Sequence, residues 1–117
     1  MTLLGVRRAL IYPRAFEPSQ LGGLILALDA NRIEGLADAG AVSTWADLSG
    51  QGSNATQGTA AAKPLYKVAI VNGYPVVRFD GSDDSLGLGA NLGFARTDPW
   101  SVFCTLVTTT SASVQGI

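Results

Sequence analysis

The chain has 117 residues, 47% of them hydrophobic and 15% charged, with a formal net charge of -1 and a single cysteine. That is enough for one folded domain with a modest core and argues against disorder, while one cysteine excludes an intrachain disulfide, so that burial alone must hold the fold. No continuous basic stretch offers an electrostatic footprint for a nucleic-acid backbone, and no span approaches the ~20 apolar residues that cross a bilayer, so neither nucleic-acid binding nor membrane insertion is expected.

Residues 1–20 read as an extended N-terminal arm and residues 21–117 as the domain it precedes. The apolar stretch at 1–5 is too short for a signal peptide, and the arginines follow it instead of preceding it; synthesis in the cytoplasm is therefore expected. Arg7, Arg8 and Arg14 precede every acidic residue, the first of which is Glu17. This is either a solvated terminus or a basic extension that docks on an acidic surface. Pro13 and Pro18 lack amide donors and restrict the residues before them, which favours extended chain over helix. Leu3, Leu4, Leu10, Ile11, Tyr12 and Phe16 are too many apolar groups for a flexible linker, since covering one such side chain is worth about 1.5–3 kcal/mol. The arm folds back on its own domain or docks into a neighbouring subunit; Arg7, Arg8, Tyr12, Arg14 and Phe16 are its candidate anchors.

In the domain, residues 24–28 form a short apolar run consistent with a strand buried on both faces. Residues 31–39 have room for one or two helical turns, limited by Gly35 and Gly40. After Trp45 a Gly/Ser/Asn-rich loop runs through Gln57; Gly50 and Gly52 suit positive φ there, and Asp47 suits the acceptor role aspartate plays in turns. Residues 66–79 read as two strands around Asn72-Gly73, a strong two-residue hairpin signal, with Pro75 next to the turn or on an edge and Phe79 facing the core. Residues 100–109 alternate with apolar groups on both faces, as in a central strand, and Cys104 within it is expected to be a buried small apolar residue. No internal repeat is visible.

Two signatures narrow the fold further: Trp45-Ala46-Asp47-Leu48-Ser49-Gly50-Gln51-Gly52-Ser53-Asn54-Ala55, and Asn72-Gly73-Tyr74-Pro75-Val76-Val77-Arg78-Phe79-Asp80-Gly81-Ser82-Asp83-Asp84. Both set turn-formers beside aromatic or β-branched runs, the chemistry of strand ends in an antiparallel sheet. Together with the run at 24–30, they resemble the laminin-G-like, concanavalin A-like lectin/glucanase domain in the version abundant in bacteriophage virion proteins. The resemblance covers about residues 24–107. It implies an all-β, antiparallel, jelly-roll-like sandwich in which Trp45, Asp47, Gly50, Gly52, Phe79, Asp80 and Gly81 are structural corner residues. A complete domain of that family runs beyond residue 117, so the resemblance also implies a partial sandwich lacking its C-terminal strands.

Glucanases of that superfamily use closely spaced carboxyl groups on one strand, one to protonate the leaving oxygen and another to attack or to activate water. The only glutamates here are Glu17 and Glu34, neither in an alternating acidic strand, and there is no histidine to serve as acid or base. No catalytic residue and no enzymatic activity are expected. Asp80, Asp83 and Asp84 form the one acidic cluster, a weak candidate for oxygen ligation of Ca²⁺; capping of backbone amides is the simpler reading, and no cofactor is expected. Asn54-Ala55-Thr56 matches a glycosylation acceptor by coincidence. Trp45, Trp100, Tyr66 and Tyr74 are aromatic rings of the kind that stack on sugars, although core or corner packing explains each more simply.

The expected function is that of a bacteriophage virion structural protein: a capsid decoration, tail or fibre component, synthesised in the host cytoplasm and present in several copies among other virion proteins. The arm anchors it to the particle and a lectin-like domain is displayed. The alternative is a carbohydrate-binding module that attaches to host-surface glycans.

Overall fold

The structure, a computed structural model, describes residues 20–89 and 91–108. The candidate anchors Arg7, Arg8, Tyr12, Arg14 and Phe16 lie outside the described residues. Those described form an all-β pattern of six short strands, β1 (Gly40–Ala41), β2 (Thr44–Trp45), β3 (Ala55–Thr56), β4 (Leu65–Val71), β5 (Tyr74–Arg78) and β6 (Gly87–Leu88), with single 3-10 turns at Ala30–Arg32 and Ala60–Ala62. The strands make two three-stranded antiparallel sheets, ordered β1-β4-β5 and β2-β3-β6.

The β4–β5 hairpin is the longest pairing, and its turn chemistry is written in the chain. Asn72 and Gly73 both have positive φ, 50° and 82°, the left-handed pair that joins two strands without splaying them and that Asn-Gly adopts at least cost. The ladder pairs Val71 with Tyr74, shifts, and resumes with Lys67 opposite Val76, Tyr66 opposite Val77 and Leu65 opposite Arg78. The shift falls where β5 presents only Pro75 to Val68, Ala69 and Ile70. β4 bulges there, and Ala69 turns to a φ of 52°. The Val68 amide, on the β1 side of β4 like the Tyr66 and Pro64 carbonyls, donates to Asp38 Oδ1 at 3.0 Å, and Asp38 Oδ2 lies 2.7 Å from Lys67 Nζ. β5 is the outer strand of its sheet, a position that tolerates Pro75.

The core sits where the chain crosses from the first sheet to the second. Between β1 and β2, Val42 is fully buried, as is Pro64 at the approach to β4, and Ala55 and Tyr66 are buried as well. Backbone bonds hold the crossing: Ala39 N and Val42 N donate to Tyr66 O and Pro64 O, each at 2.8 Å, and Gln57 N donates to Ser43 O at 2.9 Å.

Several sequence expectations are corrected. Residues 24–28 are half-buried and form no ladder; the polar groups of Ala27 are taken by the loop after Trp45, its N–H by Asp47 Oδ1 and its carbonyl by the Leu48 amide, so no sheet partner is needed. That loop is not irregular throughout, since Ala55–Thr56 returns as β3 and pairs with both β2 and β6. Phe79 does not face the core. It follows the last ladder residue, Arg78, and is 45% exposed, because the pairing that would fix its side-chain direction has ended. Residues 100–108 form no strand and stay exposed. A central strand needs a neighbour on each edge, and none of the described segments supplies one. Cys104 is accordingly exposed, not buried, and Trp100 lies outside the core at 63% exposure.

Candidate functional site

The most densely bonded constellation is the loop around Asp47. Its carboxylate accepts four hydrogen bonds: Oδ1 from the amides of Ala27 and Ser49, each at 2.9 Å, and Oδ2 from the Ser49 hydroxyl at 2.7 Å and the Ser53 amide at 3.0 Å. The Ser49 oxygen also lies 3.1 Å from Ile25 O and accepts from the Gln51 amide; its single proton serves the nearer carboxylate first. Asn54 Oδ1 accepts from the Asp47 amide at 2.9 Å. Gly50 and Gly52 have φ values of 87° and 74°, and glycine takes such values without the Cβ clash that other residues meet. Partial burial pushes the Asp47 carboxyl up, but the donors from Ser49, Ala27 and Ser53 outweigh it and hold the group down to about 2. Three backbone amides and one hydroxyl of this chain converge on the carboxylate, so Asp47 fastens the 24–28 segment to the corner. Trp45, next to it on β2, is half-buried, and its indole Nε1 is buried without a hydrogen-bond partner.

The second signature ends in a similar corner. Asp80 Oδ1 accepts from the Ser82 amide at 2.9 Å and the Asp84 amide at 3.4 Å, and Asp84 Oδ2 accepts from the Asp80 amide at 2.9 Å. Gly81 has a φ of 78°, as this tight loop demands. The Ser82 amide first, opposed by some desolvation, draws the Asp80 carboxyl below its usual range. Asp80, Asp83 and Asp84 bring one oxygen each within 4.8 Å of one another, a spacing wide enough for a cation. The hydrogen bonds across the loop already employ Asp80 and Asp84 as amide acceptors, the role an Asx turn gives aspartate.

An open groove of about 390 Å³ lies against β1 and β2, with Arg32, Glu34, Ser43 and Thr44 as its polar lining and Ile33 and Leu36 among the apolar. Glu34 is the one carboxylate on its walls. Glu17 lies outside the described residues. The aromatic rings divide: Tyr66 is buried, Trp45 half-buried, and Tyr74 and Trp100 exposed, Trp100 stacking on Phe94 with ring centroids 6.0 Å apart.

The structure thus brings Trp45, Asp47, Gly50 and Gly52 into one corner and Asp80 and Gly81 into another, and leaves Phe79 at the surface. Four fasteners were not anticipated. Ser49 and Asn54 stand inside the first signature, where Asp-x-Ser marks a local side-chain-to-backbone turn. Asp38 carries no local mark at all, because its partners Lys67 and Val68 are 29 and 30 residues away. Gln57 reaches 28 residues to Ser85, donating to its carbonyl and its hydroxyl at 3.0 and 2.9 Å. Among the described residues no helix is long and apolar enough to cross a membrane. Comparison with protein-family models, with curated proteins and with solved structures finds no match to this chain.

Proposed function

We propose that this chain is a non-enzymatic structural protein of a bacteriophage virion, a capsid decoration, tail or fibre component. In this reading its two small antiparallel sheets are parts of a laminin-G-like, jelly-roll sandwich, and the arm at residues 1–20 anchors it to other virion proteins in several copies. The observation that carries the reading is the imbalance between core and surface. Only Val42, Ala55 and Tyr66 are buried hydrophobic residues among those described, while Phe79, Phe94, Trp100, Val102, Phe103, Leu106 and Val107 stand exposed. Apolar surface on that scale belongs to proteins that live against partners. The two signatures add support because their aspartates and glycines serve as corner fasteners, which is what the resemblance implies for them. The exposure of Tyr74 and Trp100 favours the alternative, a module that stacks these rings on host glycans.

Cosedimentation of the full chain and of residues 21–117 with purified virus particles, and with host cell walls, tests the proposal. The expected result is that the full chain sediments with particles and the truncated chain does not. Equal particle binding by both would remove the anchoring role of the arm, and binding to cell walls alone would replace the structural reading with the glycan one.

A further inference from the structure

We propose that residues 100–107 form a self-complementary strand through which two copies of this chain associate, antiparallel, about a two-fold axis. Trp100, Val102, Phe103, Leu106 and Val107 are 63%, 71%, 92%, 63% and 66% exposed. None of the backbone N–H or C=O groups of residues 99–108 is hydrogen-bonded to another of the described residues. The segment therefore has a complete set of ladder groups to offer, and it alternates apolar side chains at period two on both faces.

The remaining question is what covers it, and three observations select a second copy. The first is protection. Exposed edges are normally guarded by proline, lysine or a bulge, and the β4–β5 hairpin has both Pro75 and the shifted register of β4, whereas 100–108 has no proline, glycine or charge. The second is charge. From residue 99 to residue 108 there is no ionisable carboxylate, ammonium or guanidinium, so a charged partner finds nothing to pair with, and two copies meet without like charges opposed across the ladder. The third is area. Buried aromatic side chains remove 150–250 Å² each and aliphatic ones about 100 Å², so this strip offers roughly 600–700 Å² per chain. Pairing edge to edge covers part of that area, less than the roughly 1,200–2,000 Å² that a tight interface buries, which suits a weak dimer in concentration-dependent equilibrium with the monomer. An isologous pairing uses the same strip twice, as two-fold symmetry requires.

Centring the axis on Cys104, the middle of 100–108, sets Val102 opposite Leu106 of the second copy and Cys104 opposite its own counterpart. Directly opposed Cβ atoms in such a pair are about 4.5–5.5 Å apart, close to the roughly 3.5–4.5 Å of a disulfide. The inference is independent of the particle proposal, because it is read on the isolated full chain. Sedimentation velocity from low to high micromolar concentration is expected to show a monomer–dimer equilibrium. Diamide, an added oxidant that accepts the two electrons and two protons released by a pair of thiols, is expected to lock the dimer through Cys104. The double variant V102K/L106K is expected to weaken association at least about a hundredfold with an unchanged circular dichroism spectrum, since both side chains stand exposed outside any strand. A parent chain that is monomeric throughout, a double variant that dimerises like the parent, or a dimer that diamide does not cross-link would each overturn the proposal.

Discussion

Two residues show how much of this structure rests on single groups. Asp47 satisfies three backbone amides and one hydroxyl with one carboxylate, and leaving those amides without acceptors costs more than the net worth of each bond. Asp47→Ala is therefore expected to destabilise the protein by about 2 kcal/mol, lowering the melting temperature by roughly 10 °C for a domain of this size. Its pH dependence has a definite sign. The folded-state group titrates at about 2, below the ordinary 3.8, so its contribution is full above about pH 4 and is lost as pH falls toward 2. Thermal melts from pH 7 to pH 2 should show the parent losing stability across that window and the alanine variant losing less, the difference being on the order of 1 kcal/mol after solvent screening. Ala39 is the opposite case. It holds a φ of 64° in order to aim its amide at Tyr66 O, a conformation that costs an L-residue with a Cβ about 1–2 kcal/mol. Ala39→Gly removes that strain and sacrifices no packing at this exposed position. A gain of about 0.5–1 kcal/mol, read as a higher denaturant midpoint at constant slope, is expected once the entropy of glycine is counted.

The hairpin of β4 and β5 shows local chemistry propagating along an element. Asn72-Gly73 dictates the turn, β4 bulges where three of its residues stand opposite Pro75, and the Val68 amide, on the β1 side of β4, is taken by Asp38. The Lys67 ammonium, bonded to the same carboxylate, and the Val68 amide draw the Asp38 carboxyl below its usual range. Substituting Asp38 with Ala is expected to accelerate hydrogen exchange at the Val68 amide several-fold. The amides of Ala39 and Val42, bonded to Tyr66 O and Pro64 O, should keep their protection, because their acceptors are untouched. Uniform acceleration at all three sites would mean that Asp38 holds the whole first sheet and not the bulge alone. The segment at 24–28 teaches the complementary lesson. Its apolar run reads as a strand, yet its backbone is claimed by the Asp47 loop, and a side-chain acceptor has taken the place of a neighbouring strand.

At the scale of the molecule, the core among the described residues, Val42, Ala55, Tyr66 and Pro64, is small beside the apolar surface they leave outside it. Burial drives folding in proportion to area, so among the described residues covering 100–107, as the proposed pairing of two copies does, is where this chain has most to gain. Association through that strip carries a stability consequence: the melting temperature of the parent should rise with protein concentration, while that of V102K/L106K should not.

Turn chemistry was legible from residue order, because it depends on neighbours within a few positions: the Asn72-Gly73 hairpin, the positive-φ glycines at 50 and 52, and the acceptor role of Asp47 all follow from local sterics and short-range hydrogen bonding. Burial was not. Phe79, Trp100 and Cys104 carry the composition of a core and stand at the surface, since alternation says which side chains share a face but not whether anything lies against that face. The same holds for Asp38 and Gln57, whose partners are about 30 residues distant, beyond any periodicity along the chain. Folding in three dimensions settled which apolar faces found cover, and it did so by pairing strands that order alone leaves free to choose.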